Sequence, residues 1–131
     1  MNATDCSGFE NVCCFLDALG NYDKFSGQAT YLLVCNRQIG RLEGVSDILY
    51  IGQSGRLGGR LSDYRRGNKK STPQDYRILE TVGNLTSEGV TVSLHVCQKP
   101  PDGQSVEDYE SQLLSRYETE HWELPPCNFQ R

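Results

Sequence analysis

An arginine and a tyrosine four residues apart, Arg60 and Tyr64, follow a glycine-rich turn and have the makings of a phosphate site. The run Leu49-Tyr50-Ile51-Gly52-Gln53-Ser54-Gly55 opens as a short strand of β-branched and aromatic residues, then turns through Gly52, Ser54 and Gly55. Leu57, Leu61 and Tyr64 recur at helical spacing and form the buried stripe of the helix that follows. Arg60 lies one position off that stripe and shares a face with Tyr64. A guanidinium suits phosphate because its planar fork binds two oxygens at once and stays charged. A solvated Arg beside a core Tyr is the plainer account of the same pair. Glu110 is the other residue with chemistry in it. It precedes Leu113, Leu114 and Tyr117 at helical spacing, on the apolar side of a late helix. A carboxylate there needs a partner, a cation or a metal.

Periodicity supplies the elements that must position these groups. Gln28 to Asn36, with the run Thr30-Tyr31-Leu32-Leu33-Val34-Cys35, reads as a strand buried on both faces. Asn36 to Ser46 reads as a long hairpin loop, and Ile48 to Gly52 as the return strand. Strand alternation turns the Tyr31 and Tyr50 hydroxyls to one side if the register pairs them. A second helix opens at Pro73, turns Tyr76, Leu79 and Val82 inward and ends at Gly83-Asn84. Thr91 to Gln98 is a third strand. The last helix starts at Ser105, which with Asp108 has the form of a capping box, and carries the stripe Val106, Tyr109, Leu113, Leu114 and Tyr117. Residues 1–27 hold an apolar patch from Val12 to Leu19, with a short helix through Phe15, Leu16 and Leu19, and read as a cap on a domain spanning 28–131. The expected fold is α+β, a small three-stranded antiparallel sheet in the order β-β-α-α-β-α flanked by helices.

At 131 residues, 37% hydrophobic and 23% charged, the chain is a single globular domain with room for a core. No apolar run reaches the length of a membrane span. The first six residues have neither a basic region nor an apolar core, so a signal peptide is not expected and a cytoplasmic location is. Cysteines 6, 13, 14, 35, 97 and 127 form no C-x-x-C pair and read as reduced thiols, with Cys35 and Cys97 in the core. Zinc on Cys6, Cys13 and Cys14, or a redox role, is the minor alternative. His95 and His121 read as structural or surface residues. The net charge is −4, yet between Gly55 and Leu79 seven basic residues face two acidic ones. Arg56, Arg65, Arg66, Lys69 and Lys70 therefore suggest a basic face toward an anion, nucleic acid first among them. The acidic balance of the chain argues against tight nonspecific DNA binding.

With Tyr31, Tyr50-Ile51-Gly52, Arg60, Glu110 and Asn128 in this order, residues 28–128 resemble the GIY-YIG nuclease family. The second half-motif is intact as Tyr50-Ile51-Gly52. The first appears as Ala29-Thr30-Tyr31 and keeps only its tyrosine. The family's helix arginine maps onto Arg60, and a tyrosine of its repair branch onto Tyr64. Its metal-binding glutamate maps onto Glu110 in Glu110-Ser111-Gln112-Leu113-Leu114, and its late asparagine onto Asn128. The resemblance implies a metal-dependent endonuclease that hydrolyses phosphodiester bonds in DNA. Glu110 would bind Mg2+ or Mn2+, Arg60 would hold a phosphate oxygen, and a tyrosine would act on the attacking water, with Tyr31 favoured as base and Tyr50 as its support. Gly52 and the basic residues would meet the nucleic acid, and a protein partner would supply specificity. The alternative is a catalytically inactive nucleic-acid or protein-binding module that keeps the fold.

Overall fold

The computed structural model describes residues 1–66 and 72–129, without the Arg66 side chain. Among these residues the fold is α+β, with one antiparallel sheet and four α-helices. The strands are β1 (Glu10–Cys14), β2 (Ala29–Gly40), β3 (Val45–Ser54) and β4 (Val92–Cys97). The helices are α1 (Phe15–Gly20), α2 (Leu57–Arg66), α3 (Pro73–Ser87) and α4 (Val106–His121). Sheet order is β1-β4-β2-β3. No helix among the described residues is long and apolar enough to cross a membrane.

The central strand β2 explains the layering. Tyr31, Leu33 and Cys35 point to one face and pack with residues of α1, α2 and α3. Leu32 and Val34 point to the other, against Tyr109, Leu113, Leu114 and Tyr117 of α4. A strand covered on both faces is apolar at every position, and β2 is buried from Ala29 to Cys35. The stripe of α4 is buried as its spacing required, with Ser105 accepting from the Asp108 N–H as N-cap. Leu57, Leu61 and Tyr64 of α2 are likewise buried.

Three expectations need correction. The sheet has four strands, not three, because Glu10–Cys14 inside the supposed cap pairs with β4. A register shift between Asn11 and Cys13 breaks the alternation of this edge strand, and its first three residues are exposed, so it leaves no two-residue hydrophobic period. The short helix beside it does form, although Leu16 is exposed. The long hairpin loop is instead mostly strand, since β2 runs on to Gly40 and β3 begins at Val45. Gly44, at φ +73°, closes the turn with its carbonyl on the Arg41 N–H. The end of α4 holds this polar ribbon: Arg41 donates to the Leu124 carbonyl, Leu42 N–H to Glu123, and His121 Nδ1 meets the Glu43 carbonyl at 2.7 Å.

In α3 the buried stripe is Asp75, Ile78, Val82 and Leu85, while Tyr76 is half in solvent. The helix also runs past Gly83-Asn84 to Ser87. The sequence-based stripe excluded Asp75 because it is a carboxylate. Of the two alternatives for His121, structural or surface, the structure takes the first: it is buried, and its Nε2 lies 2.8 Å from the Met1 amine.

Candidate active site

The register of β2 and β3 builds the floor of the site. Tyr31 lies opposite Gly52 and Leu33 opposite Tyr50. The two tyrosines are thus diagonal neighbours on one face rather than a direct pair, and their ring centroids are 5.9 Å apart. Gly52 is a steric requirement of this arrangement. A Cβ there would fall 2.5 Å from Tyr50 Cε2 and 2.8 Å from Tyr31 Cζ.

Helix α2 covers the floor. The Tyr64 and Tyr31 hydroxyls hydrogen-bond at 2.8 Å in the interior, with Phe15 edge-on to the Tyr64 ring. One turn back, the Arg60 guanidinium lies over the Tyr64 ring, 4.3 Å from its centroid. Spacing put Arg60 and Tyr64 on one helix face, and the stacking follows from that.

The first turn of α3 supplies what the sequence reading missed. Arg60 donates to both oxygens of Asp75, Nη2 to Oδ1 at 2.6 Å and Nη1 to Oδ2 at 3.2 Å. Asp75 is only 2% exposed. Its own N–H donates to the Thr72 hydroxyl, and the Thr72 N–H returns to its carboxylate, so Asp75 closes the capping box that starts α3. Beside it, Gln74 Nε2 donates to the Tyr50 hydroxyl at 3.2 Å, while Gln74 Oε1 accepts the Phe129 N–H. The local signal was Thr72-Pro73-Gln74-Asp75, a cap followed by a proline in the first turn and an acid three residues on. It marks a helix start, but says nothing of a partner on α2.

The electrostatics follow from burial. Burial pushes the Tyr31, Tyr50 and Tyr64 hydroxyls above the ordinary phenol value. At Tyr50 the Arg60 charge opposes the shift and the Glu110 charge adds to it. Burial also works against the charge on Asp75, yet the Arg60 fork outweighs it and holds the carboxyl below the usual range. Tyr31 and Tyr64 are fully buried, whereas Tyr50 keeps 6% exposure.

Glu110 stands apart from this cluster, on α4, which covers the opposite face of the sheet. It is half-buried, with its carboxyl pushed up by burial and then by Glu107. No hydrogen bond or ion pair to it occurs among the described residues. Its helix is tied to β2 by Thr30, a fully buried residue whose hydroxyl donates to the Val106 carbonyl at 2.8 Å. Among the described residues there is no group of three or more His, Cys, Asp or Glu able to hold a metal. A site at Glu110 would be one carboxylate completed by water and substrate oxygens, a donor set that suits Mg2+.

Asn128 does not reach the tyrosine hydroxyls in its observed bonds. It accepts the Ile51 N–H at 3.0 Å and donates to the Ile51 carbonyl at 2.9 Å, while Cys127 N–H reaches the Leu49 carbonyl. The tail thus runs as a substitute strand along the free edge of β3. Arg56 is exposed and lines a cleft of about 800 Å³ with Ser54, Gly58, Gly59, Arg60 and Tyr22. Arg65 lies over the Tyr22 ring at 5.5 Å. Lys69, Lys70 and the Arg66 side chain lie outside the described residues.

The structure therefore brings Tyr31, Tyr50, Gly52, Arg60 and Tyr64 together, leaves Glu110 within electrostatic reach of Tyr50, and uses Asn128 on the main chain. Comparison of the chain with protein-family models, with curated proteins and with solved structures finds no match.

Proposed function

We propose that this protein is a divalent-metal-dependent endonuclease of the GIY-YIG type that hydrolyses phosphodiester bonds in DNA, acting in the cytoplasm with a protein partner for specificity. The observation that carries the reading is the convergence of Tyr50, Arg60 and Tyr64, with Tyr50 within electrostatic reach of a half-buried Glu110 that has no partner among the described residues. A divalent ion held by Glu110, with water, would neutralise the scissile phosphate and its leaving oxygen.

Arg60 takes a nonbridging phosphate oxygen. Asp75 takes two of the five Arg60 N–H donors, and even with one more turned toward the Tyr31 hydroxyl two are left for an anion. Of the two tyrosines, we assign Tyr50 as the base. Its ring is the less buried, and its oxygen already accepts from Gln74, a bond that favours the phenolate. Tyr31 and Tyr64 then form the buried support that fixes Arg60. In the reaction the water oxygen bonds to phosphorus, its proton passes to the Tyr50 oxygen, and the bond to the leaving oxygen breaks.

A second reading, a binding module that retains the fold, is favoured by the Asp75 carboxylate on the Arg60 fork. Cleavage of supercoiled, branched and single-stranded DNA, with RNA alongside, separates the two. Metal-dependent cutting that is lost in Glu110→Ala and reduced, but still measurable, in Arg60→Lys is the expected result. Binding without cutting under Mg2+ or Mn2+ selects the module.

A further inference from the structure

We infer that Asp75 is a positioning residue for the proposed reaction, holding Arg60 so that the free edge of its guanidinium faces the phosphate; this rests on the nuclease reading above. A carboxylate at 2% exposure inside the apolar stripe of α3 is costly to keep there for stability alone, since apolar side chains of similar volume commonly serve at least as well. What the carboxylate provides is direction. The guanidinium has one flat side against the Tyr64 ring and its two terminal nitrogens locked on Asp75, so the plane and its rotation are both fixed. Beyond the two donors on Asp75 and one turned toward the Tyr31 hydroxyl, two remain, which suffices for a paired contact with phosphate. Asp75 is itself immobilised by the capping box with Thr72. Arg60 keeps 23% of its side-chain surface exposed, so it is not sealed off from a ligand.

The same turn fixes the other active group. Gln74 holds the Tyr50 hydroxyl from the adjacent position, so one rigid turn sets the spacing between the phosphate-binding and proton-accepting side chains. Misplacement of such groups by an ångström is enough to lower turnover on the order of 100-fold.

The test is Asp75→Asn, which keeps size and a capping acceptor but removes the charge. The expected result is a fall in kcat of about 10- to 100-fold, with KM unchanged or lower because the site becomes one charge more positive. Asp75→Asn in an Arg60→Lys background should cost nothing further, because a residue acting through another is not additive with it. Equal losses in both backgrounds, or a lowered melting temperature with unchanged kcat, would overturn the proposal. Guanidinium NMR of the intact protein gives a readout without turnover. Slowly exchanging Arg60 Nη hydrogens are expected in the wild type and lost in Asp75→Asn. If the wild type cuts nothing, the nuclease reading fails. The clamp is then judged by those resonances, and their absence from the wild type sinks it.

Discussion

At the scale of single residues, the site is governed by how far burial moves a proton. A tyrosine base works only as its phenolate, and burial with the Glu110 charge holds Tyr50 above the ordinary value. Cleavage should therefore climb about tenfold per pH unit from neutrality without a plateau below about pH 10. Tyr50→Phe should flatten that slope, and Tyr31→Phe should leave it. A pH–rate profile of kcat/KM for the three proteins checks this. Gly52 carries a steric prediction. A methyl group at 2.5 Å from Tyr50 Cε2 forces the ring or the strand to move, so Gly52→Ala should destabilise by about 1–3 kcal/mol, measured by urea unfolding.

At the scale of elements, the site depends on three supports beyond the pairing of β2 with β3. The first turn of α3 aims Arg60 and Tyr50, Thr30 anchors α4, and the tail closes the edge of β3. The tail is open to a direct test. Asn128→Ala leaves the main chain of buried Ile51 without its N–H acceptor and its carbonyl donor. The expected loss is about 1–3 kcal/mol, with faster hydrogen exchange confined to the Ile51 amide and its neighbours. Asn128 was singled out in the sequence by its place after Glu110 in the order of motif-like residues. That it would serve as a piece of strand was not, since its partner is 77 residues away.

At the scale of the molecule, two carboxylates oppose each other in sign. Asp75 has a lowered folded-state pKa, so its contribution is present above its unfolded value near 3.8 and is lost as pH falls through the lower folded value. Acid unfolding should be steep below about pH 4, and Asp75→Asn should make it shallower. Glu110 has a raised folded-state pKa. Its contribution is present below the unfolded value near 4.5 and is lost as pH rises through the higher folded value. At neutral pH the charged form is a burden, so Glu110→Gln should raise the melting temperature, by no more than about 1 kcal/mol of stability given its partial exposure. Mg2+ should stabilise the wild type and leave Glu110→Gln unmoved, a difference scanning calorimetry reads directly.

The sequence by itself determined the elements whose signal is local. Alternation and continuous apolar character marked β2, β3 and β4, and the three-to-four-residue recurrence marked the buried faces of α2 and α4. Those periods arise from backbone geometry, so they survive in any stretch that buries one face. It also placed Arg60 beside Tyr64 on one helix face by spacing, whereas the grouping of Tyr31 and Tyr50 with them was only what the family resemblance implied. Tertiary structure decided the rest. β1 carries no period because its outer residues face solvent and its register shifts. The ribbon beyond Asn36 is polar and is held by the end of α4. Asp75 entered the core of α3 only because Arg60 on α2 was there to receive it. A buried polar group is permitted by its partner, and the partner of a side chain is chosen by the folded chain in three dimensions, which no local pattern of residues records.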